Sequence, residues 1–505
     1  MKLAGIFGNR MVLQRDRENH IFGHEDKADK VEVSFEGNTY TGNVTDGKFD
    51  VVIPPTGVRL DVDITVRGSD TVVLREVCFG DVFLLSGQSN MQLPVYRTFD
   101  VSYDLVYKKK YPYIREYVLN PARDYLEDDE YELPDTPWIC AVPGQVENMS
   151  AYGFYTFRNL YESLGIPFGL ILNAQGGSTV EAWLPEEDIK QFPDLYKMIE
   201  EYRGRGVLSS YLDAQEKRTR DWRDSLRKFD ENEYSKSIPA GAIDVDLPRV
   251  VDNITGSVWF FKEITLNTTI DEPGAFVYMG RLIDADNVFI NGKEIGSTGY
   301  QYPPRKYKFD ASVLQEGKNI IAVRLIVERR KGAFVPYYPY YLEYKGERIE
   351  LNGRWKMIRE CPSEPYVPGK MLVEFPSLLY KSSIYPVRNV TLKGIMWYQG
   401  ESNSGDPLDY DKKFAVMVDR WRKVFGGEIP VLTTELVDTL EPLAGETEVP
   451  SGWREIQRQQ REAEQMVPDC RCVRASDLGQ VYELHPQRKK ELGDRAAAII
   501  LNWIY

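Results

Sequence analysis

Five short, nearly continuous apolar runs constrain this chain more than any other feature: Val82–Leu85, Gly169–Asn173, Gly394–Tyr398, Pro430–Thr433 and Cys470–Ala475. A strand with one wet face alternates apolar and polar residues, whereas an unbroken apolar run marks a strand covered on both faces, as in a parallel sheet. Helical stretches, among them Phe154–Leu164 and Phe414–Phe425, fall between the runs. That βα alternation predicts an α/β/α sandwich built on a parallel sheet. Ligands of such sheets bind just beyond the carboxyl ends of the strands. Here those ends read Ser-Gly-Gln-Ser-Asn-Met, Ala-Gln-Gly-Gly-Ser, Gln-Gly-Glu-Ser-Asn, Thr-Glu-Leu and Ser-Asp-Leu-Gly. Ordinary turns do not demand small and polar groups at all five.

Two β-rich segments interrupt the pattern. Residues 1–78 read as a β-sandwich module, with Val31, Val33 and Phe35 alternating against polar neighbours, Asp46-Gly47 as a hairpin turn, and a second alternation at Val62, Ile64 and Val66. From about 205 to 370 the α/β pattern lapses again. Leu208–Phe229 reads as a charged amphipathic helix with Leu212, Trp222, Leu226 and Phe229 on its apolar side. Strand-like runs follow at Val258–Leu266, Ala275–Met279, Val288–Ile290 and Asn319–Val327, with Asn291-Gly292 as a hairpin signal. The chain therefore divides into a β module (1–78), a first part of the main α/β domain (79–239), an inserted jelly-roll module (240–365) and a second part of the main domain (366–505). The acidic stretch Asp124–Glu132 reads as a solvated loop.

With 63 Lys and Arg against 77 Asp and Glu, the formal charge is −14, which argues against nucleic acid or an anionic membrane as partner. No apolar run approaches the ~18 residues of a membrane span. Asn9 and Arg10 break the opening stretch too early for a secretory signal, so a cytoplasmic location is expected, with a secreted protein lacking its leader as the alternative. The five cysteines are scattered and read as free core thiols. No Cys or His pairs stand at metal-ligand spacing, so neither metal nor other cofactor is expected. Only three histidines exist: His20 and His24 lie in the N-terminal β segment, which leaves His485 as the sole candidate base for the main domain.

Ser89 follows Gly87 on the turn that ends the first apolar run. A serine becomes nucleophilic only beside a base and near donors for the developing oxyanion. His485-Pro486 follows the last run and is expected to open the C-terminal helix, whose N-terminus disfavours a charged imidazolium. A Ser after the first strand and a His after the last, with Gly- and amide-bearing loops between them, fit an acyl-transfer site. Gly176, Gly177 and Gln399 are the candidate oxyanion donors, with the N–H of Ser89 itself. Glu401 reads as a loop-organising acceptor. Trp183, Trp397 and Tyr398 are candidates for stacking on a substrate ring, with core packing as the other reading. The aromatic run Phe334–Tyr341 is a candidate pocket wall.

Gly87-Gln-Ser-Asn-Met91, Gly176-Gly-Ser-Thr-Val-Glu-Ala-Trp183, Trp397-Tyr-Gln-Gly-Glu-Ser-Asn403 and Leu484-His-Pro486 resemble, in this order, the blocks of the sialate O-acetylesterase family within the SGNH-hydrolase superfamily. Met11-Val-Leu-Gln-Arg-Asp16 is similar to that family's N-terminal β module, and the inserted segment is similar to the sugar-binding jelly-roll of β-galactosidase-like enzymes. The resemblance implies Ser89 as nucleophile, His485 as base, Gln399 with the Gly176–Gly177 loop at the oxyanion, and Gln88, Asn90, Glu401, Trp183 and Glu483 as binding or supporting residues. Many superfamily members carry an aspartate three residues before the histidine, where this chain has Tyr482. Asp477, Glu483 and a backbone carbonyl remain as alternatives for orienting the ring, Asp477 being taken first.

The expected partner is an O-acetylated sugar. A sialic-acid carboxylate would want an arginine, for which Arg97 is a candidate. The negative net charge keeps acetylated xylan or another neutral glycan open. A glycoside hydrolase using Glu401 and Glu435, and a non-catalytic carbohydrate-binding protein, are the readings from other classes.

Overall fold

The computed structural model describes residues 1–128, 131–440 and 447–505. At its centre lies a parallel sheet of β1 (Thr71–Gly87), β2 (Tyr111–Val118), β3 (Phe168–Ala174), β4 (Gly394–Tyr398), β5 (Val431–Thr434) and β6 (Cys470–Val473), in the spatial order β2-β3-β1-β4-β5-β6. β1 is central: Leu84 stands beside Ile171 of β3 on one side and Ile395 of β4 on the other. The residues of β3, β4 and β5 are all buried, as unbroken apolar runs require.

Helices cover the sheet. α1 (Ala151–Leu164) packs against α4 (Lys489–Trp503) so closely that a Cβ on Gly493 would lie 2.7 Å from that of Tyr155. On β6, Arg471 sits against Trp503 of α4, while Cys472 donates its backbone N–H to the Glu464 carboxylate of α3 (Ser451–Met466). α2 (Tyr410–Val424) buries Phe414, Met417 and Trp421.

The sixth strand, β2, is absent from the sequence expectation. Pro112, Arg115 and Glu116 break its apolar pattern, yet Arg115 and Glu116 are both buried. Arg115 is held by Asp61 and by the carbonyl oxygens of Pro112 and Arg10, and Glu116 accepts the N–H of Ser150. Partners from outside the strand thus remove the cost of burying its charges, and local periodicity cannot reveal them.

The N-terminal strands Asn19–His24, Lys30–Phe35, Asn38–Thr45, Lys48–Ile53 and Arg59–Arg67 form antiparallel pairs that lead directly into β1. No linker intervenes, because Thr71–Gly87 runs unbroken from the β module to the core. Asp46-Gly47 and Asn291-Gly292 both take positive φ at each residue, as a type I′ hairpin turn requires.

The amphipathic helix spans Val207–Ser225 and buries Leu208 and Leu212. Leu226 is buried just past its end, but Phe229 is 43% exposed and stacks on Tyr234 instead of facing the core. Beyond it, one sheet orders Ile243–Leu247, Gly353–Pro362, Gly256–Leu266, Gly317–Val327, Ala285–Ile290 and Lys293–Thr298, and a second orders Lys306–Asp310, Gly274–Met279, Tyr340–Tyr344 and Glu347–Glu350. Val258, Phe260, Val323 and Leu325 of the first share one core with Val277, Met279 and Leu342 of the second. Within the acidic stretch, Asp124 accepts the N–H of Ser209 and Glu132 pairs with Lys2, so its ends are tethered; Asp129 and Glu130 lie outside the described residues.

Burial raises the Glu116 carboxyl to a pKa of about 8. A pKa above the unfolded value means the folded state holds an extra proton, so this stabilising contribution is complete below about pH 4.5 and is lost as pH rises through about 8. Glu116→Gln keeps the acceptor for Ser150 and removes the titration. Its melting temperature relative to wild type should rise between about pH 5 and pH 9, and a difference independent of pH would contradict this.

Candidate active site

The site begins where β1 ends. Gly87 has a φ of 132°, and a Cβ there would stand 2.1 Å from the carbonyl oxygen of Tyr398, so only glycine fits. Gln88 then donates its N–H to that carbonyl at 2.9 Å, and the turn Ser89–Gln92 follows. His485 Nε2 lies 2.8 Å from Ser89 Oγ, across 396 residues of sequence. For Nε2 to accept the hydroxyl proton, the neutral ring carries its own proton on Nδ1. His20 pairs with Asp50 in the N-terminal module and takes no part.

His485 does not open the C-terminal helix, which starts at Lys489. Its neutrality has another source. Burial, reinforced by the charges of Lys489, Arg97 and Arg281, pushes its pKa down to about 3.

Neither expected carboxylate holds the ring. Asp477 is paired with both terminal nitrogens of Arg495, its side chain 62% exposed, because β6 stops at Val473 and carries the residue out to solvent. Glu483 accepts the backbone N–H of His485 at 2.8 Å with Oε1 and the hydroxyl of Tyr338 at 2.6 Å with Oε2. His485 Nδ1 is buried with no partner among the described residues.

The neighbouring polar residues form a buried scaffold. Asn90 Nδ2 donates to Glu401 Oε1 at 2.6 Å and to the Leu484 carbonyl at 2.9 Å, while its Oδ1 accepts from Lys489 Nζ at 2.7 Å. Burial raises the Glu401 carboxyl and lowers the Lys489 ammonium to about 7. Gln88 Oε1 accepts the N–H groups of Gly400 and Ser402. Asn90, Gln88 and Glu401 thus join the nucleophile turn, the loop after β4 and the histidine segment.

Gln399 is corrected to a structural role. Both amide protons are engaged, with the Ser178 carbonyl at 2.9 Å and Asn403 Oδ1 at 2.8 Å, and its side chain is fully buried. Trp183 is likewise core: it lies edge-on to Trp397 and Trp421 and donates to Ser178 Oγ. Trp397 and Tyr398 are fully buried. The glycine loop does reach the nucleophile, for a Cβ on Gly176 would sit 3.3 Å from that of Ser89. The Gly176 N–H is donated to the exposed side chain of Gln92 at 3.0 Å, and Gly177 takes a φ of 84° beside it.

Ser89, His485, Gly176 and Gly177 line a cavity of about 880 Å³, with Arg97, Arg281, Tyr96, Tyr300, Tyr302 and Glu401 around them. The aromatic wall comes from Tyr96, Tyr300, Tyr302 and Trp453, not from Phe334–Tyr341. In that run Phe334 and Tyr340 are core, Tyr337 is 82% exposed, and Tyr338 reaches Glu483. Glu435 takes Arg461 and the Ala475 N–H and does not line the cavity, so it cannot face Glu401 across a glycosidic bond there. Arg281, Tyr302 and Lys489 escaped the sequence reading, and Tyr338 was reached only as part of the aromatic run, with no role beside Glu483. Arg281, Tyr302 and Tyr338 arrive from the inserted β segment.

A serine–histidine pair at the carboxyl edge of a parallel sheet, opening on a wide cavity, is the arrangement of a serine hydrolase. Residues 370–502 match the carbohydrate esterase family described as sialic acid-specific acetylesterases. The sialate O-acetylesterases of Homo sapiens and Pongo abelii are each 33% identical to this chain over 149 residues, which is 28% of this chain and 27% of theirs. The aligned stretch therefore spans about a quarter of these curated relatives. A carbohydrate acetylesterase from Xanthomonas citri superposes over 100% of this chain and 75% of its own with a TM-score of 0.60 at 17% identity, a likeness of fold. The kinship read from the sequence blocks is borne out.

The depressed His485 pKa has a measurable consequence. A base with pKa about 3 stays unprotonated far below neutrality, so labelling of Ser89 by an uncharged fluorophosphonate should hold between about pH 7 and pH 5 and fall only near pH 4 and below. Half-loss near pH 6.5, the ordinary histidine value, would contradict it. Asp477→Asn should label at the wild-type rate.

Proposed function

We propose that this chain is a carbohydrate O-acetylesterase that works through an acetyl-enzyme on Ser89. The observation that carries the reading is the 2.8 Å contact between Ser89 Oγ and His485 Nε2 at the wall of the cavity. His485 takes the hydroxyl proton as Ser89 Oγ attacks the acetyl carbonyl. The tetrahedral oxyanion is held by the backbone N–H groups of Ser89 and Gly177, joined by that of Gly176 once the substrate displaces the exposed Gln92 side chain; Gln399, buried and with both amide protons engaged, has none to spare. His485 returns the proton to the departing sugar oxygen, and a water activated by the same ring clears the acetyl group. Each oxyanion donor is worth about 2.7–4 kcal/mol in such sites.

The core is assigned to the SGNH-hydrolase type of α/β/α sandwich, and the inserted segment to a jelly-roll. Kinship with sialate O-acetylesterases and the presence of Arg97 in the cavity wall support a sugar bearing a carboxylate, such as an O-acetyl sialic acid.

Ser89→Ala and His485→Ala should each lower acetate release from an activated acetyl ester by at least about 10³-fold without changing the melting temperature. Near-normal turnover by either variant would overturn the mechanism. Acetate release across O-acetyl sialic acids and acetylated xylo-oligosaccharides tests the substrate, and a clear preference for the neutral xylo-series would rule out the sialate assignment.

A further inference from the structure

His485 must point Nε2 at Ser89, yet Nδ1 meets no acceptor among the described residues. In serine–histidine sites the group on Nδ1 normally fixes both tautomer and ring orientation. The segment that carries the ring is gripped at three consecutive residues. Arg281 Nη1 donates to the Tyr482 carbonyl at 2.8 Å. Tyr338 donates its hydroxyl to Glu483 Oε2 at 2.6 Å, while the other oxygen of that carboxylate takes the His485 N–H at 2.8 Å. Asn90 donates to the Leu484 carbonyl at 2.9 Å. The ring itself is braced edge-on by Tyr302, centroid to centroid 5.4 Å.

Of these four braces only Asn90 belongs to the main domain; Arg281, Tyr302 and Tyr338 all come from the inserted β segment. The grip also answers a local strain. Tyr482 sits at a φ of 58°, a region costly for a bulky residue, and such conformations persist only where the surroundings over-determine them. Arg281 is itself fixed, buried and donating Nε to the Gln301 carbonyl at 3.0 Å.

We infer that the inserted β segment is a positioning clamp for the catalytic histidine, in which Tyr338 acts through Glu483, and Arg281 through the Tyr482 carbonyl, to hold the His485 ring on Ser89. The inference rests on the acyl-transfer reading above and assigns the inserted segment work in the chemical step, separate from any grip on sugar. Tyr338 and Arg281 touch no reacting atom, so they are positioning residues.

Removing one oxygen tests it. Tyr338→Phe keeps the ring and deletes the bond to Glu483. In the full-length protein, kcat on a small activated acetyl ester and the rate of Ser89 labelling by a fluorophosphonate should both fall roughly tenfold, while KM and melting temperature stay put. Glu483→Ala should lose at least as much, and the double variant little more than Glu483→Ala alone, because the short bond of the Tyr338 hydroxyl is to Glu483 and its other, to the Tyr482 carbonyl, is 3.4 Å long. Arg281→Lys, which keeps the charge and loses the forked geometry, should lower kcat in the same sense. A Tyr338→Phe variant that labels and turns over at the wild-type rate, or losses that add in the double variant, would overturn the clamp. Should Tyr338→Phe fail to fold, Arg281→Lys decides on its own: a wild-type kcat would overturn the clamp. If wild-type protein takes no label at Ser89, the esterase reading falls and the clamp falls with it; a labelled wild type with unaffected variants removes the clamp alone.

Discussion

The contact of Gly87 with the Tyr398 carbonyl governs the geometry of everything around it. Because residue 87 has no side chain, the end of β1 can turn flat against the end of β4, and Gln88 can bond to the same carbonyl. That turn lifts Ser89 over the carboxyl edge of the sheet, next to the loop after β3 and within reach of the segment after β6. A side chain at this point would push the two strand ends apart, and Ser89 would lose its contacts with the glycine loop and with His485 together. β1 can serve as this fixed post because it lies at the middle of the sheet and continues without a break from the N-terminal module, which anchors its other end.

Around that post the protein buries several groups that water would otherwise charge. His485 is kept neutral by burial and by three cations nearby, the state a proton acceptor needs. Lys489 and Glu401, both buried, meet through the two ends of one asparagine side chain. Asn90 can serve both because its amide is donor on one side and acceptor on the other. It also holds the Leu484 carbonyl, so the residue next to the nucleophile fixes the residue next to the base.

Much of the fold is legible in the sequence because strands buried on both faces have a local signature, and five of the six parallel strands carry it. The sixth does not, since the partners of Arg115 and Glu116 lie elsewhere in the chain. The site divides in the same way. Ser89, His485 and the two glycines could be named from residue type and from their places at strand ends. Asp477 and Gln399 have types that fit the chemistry, but their neighbours claim them, Arg495 the carboxylate and Ser178 with Asn403 the amide, while Trp183 takes the core-packing alternative between two tryptophans. A side chain that satisfies its neighbours has nothing left to offer a substrate.

The sequence by itself determined the parallel α/β core, the β-rich segments before and within it, and the pairing of a serine at one strand end with the one histidine of the main domain. Periodicity, glycine placement and the scarcity of a residue type are properties of the chain that no packing alters. Only the tertiary structure decided which groups grip the segment that carries His485, what the Gly176 N–H meets and which aromatic residues wall the cavity. Those depend on hydrogen bonds between groups hundreds of residues apart, and a proton or lone pair used in one bond is unavailable for another.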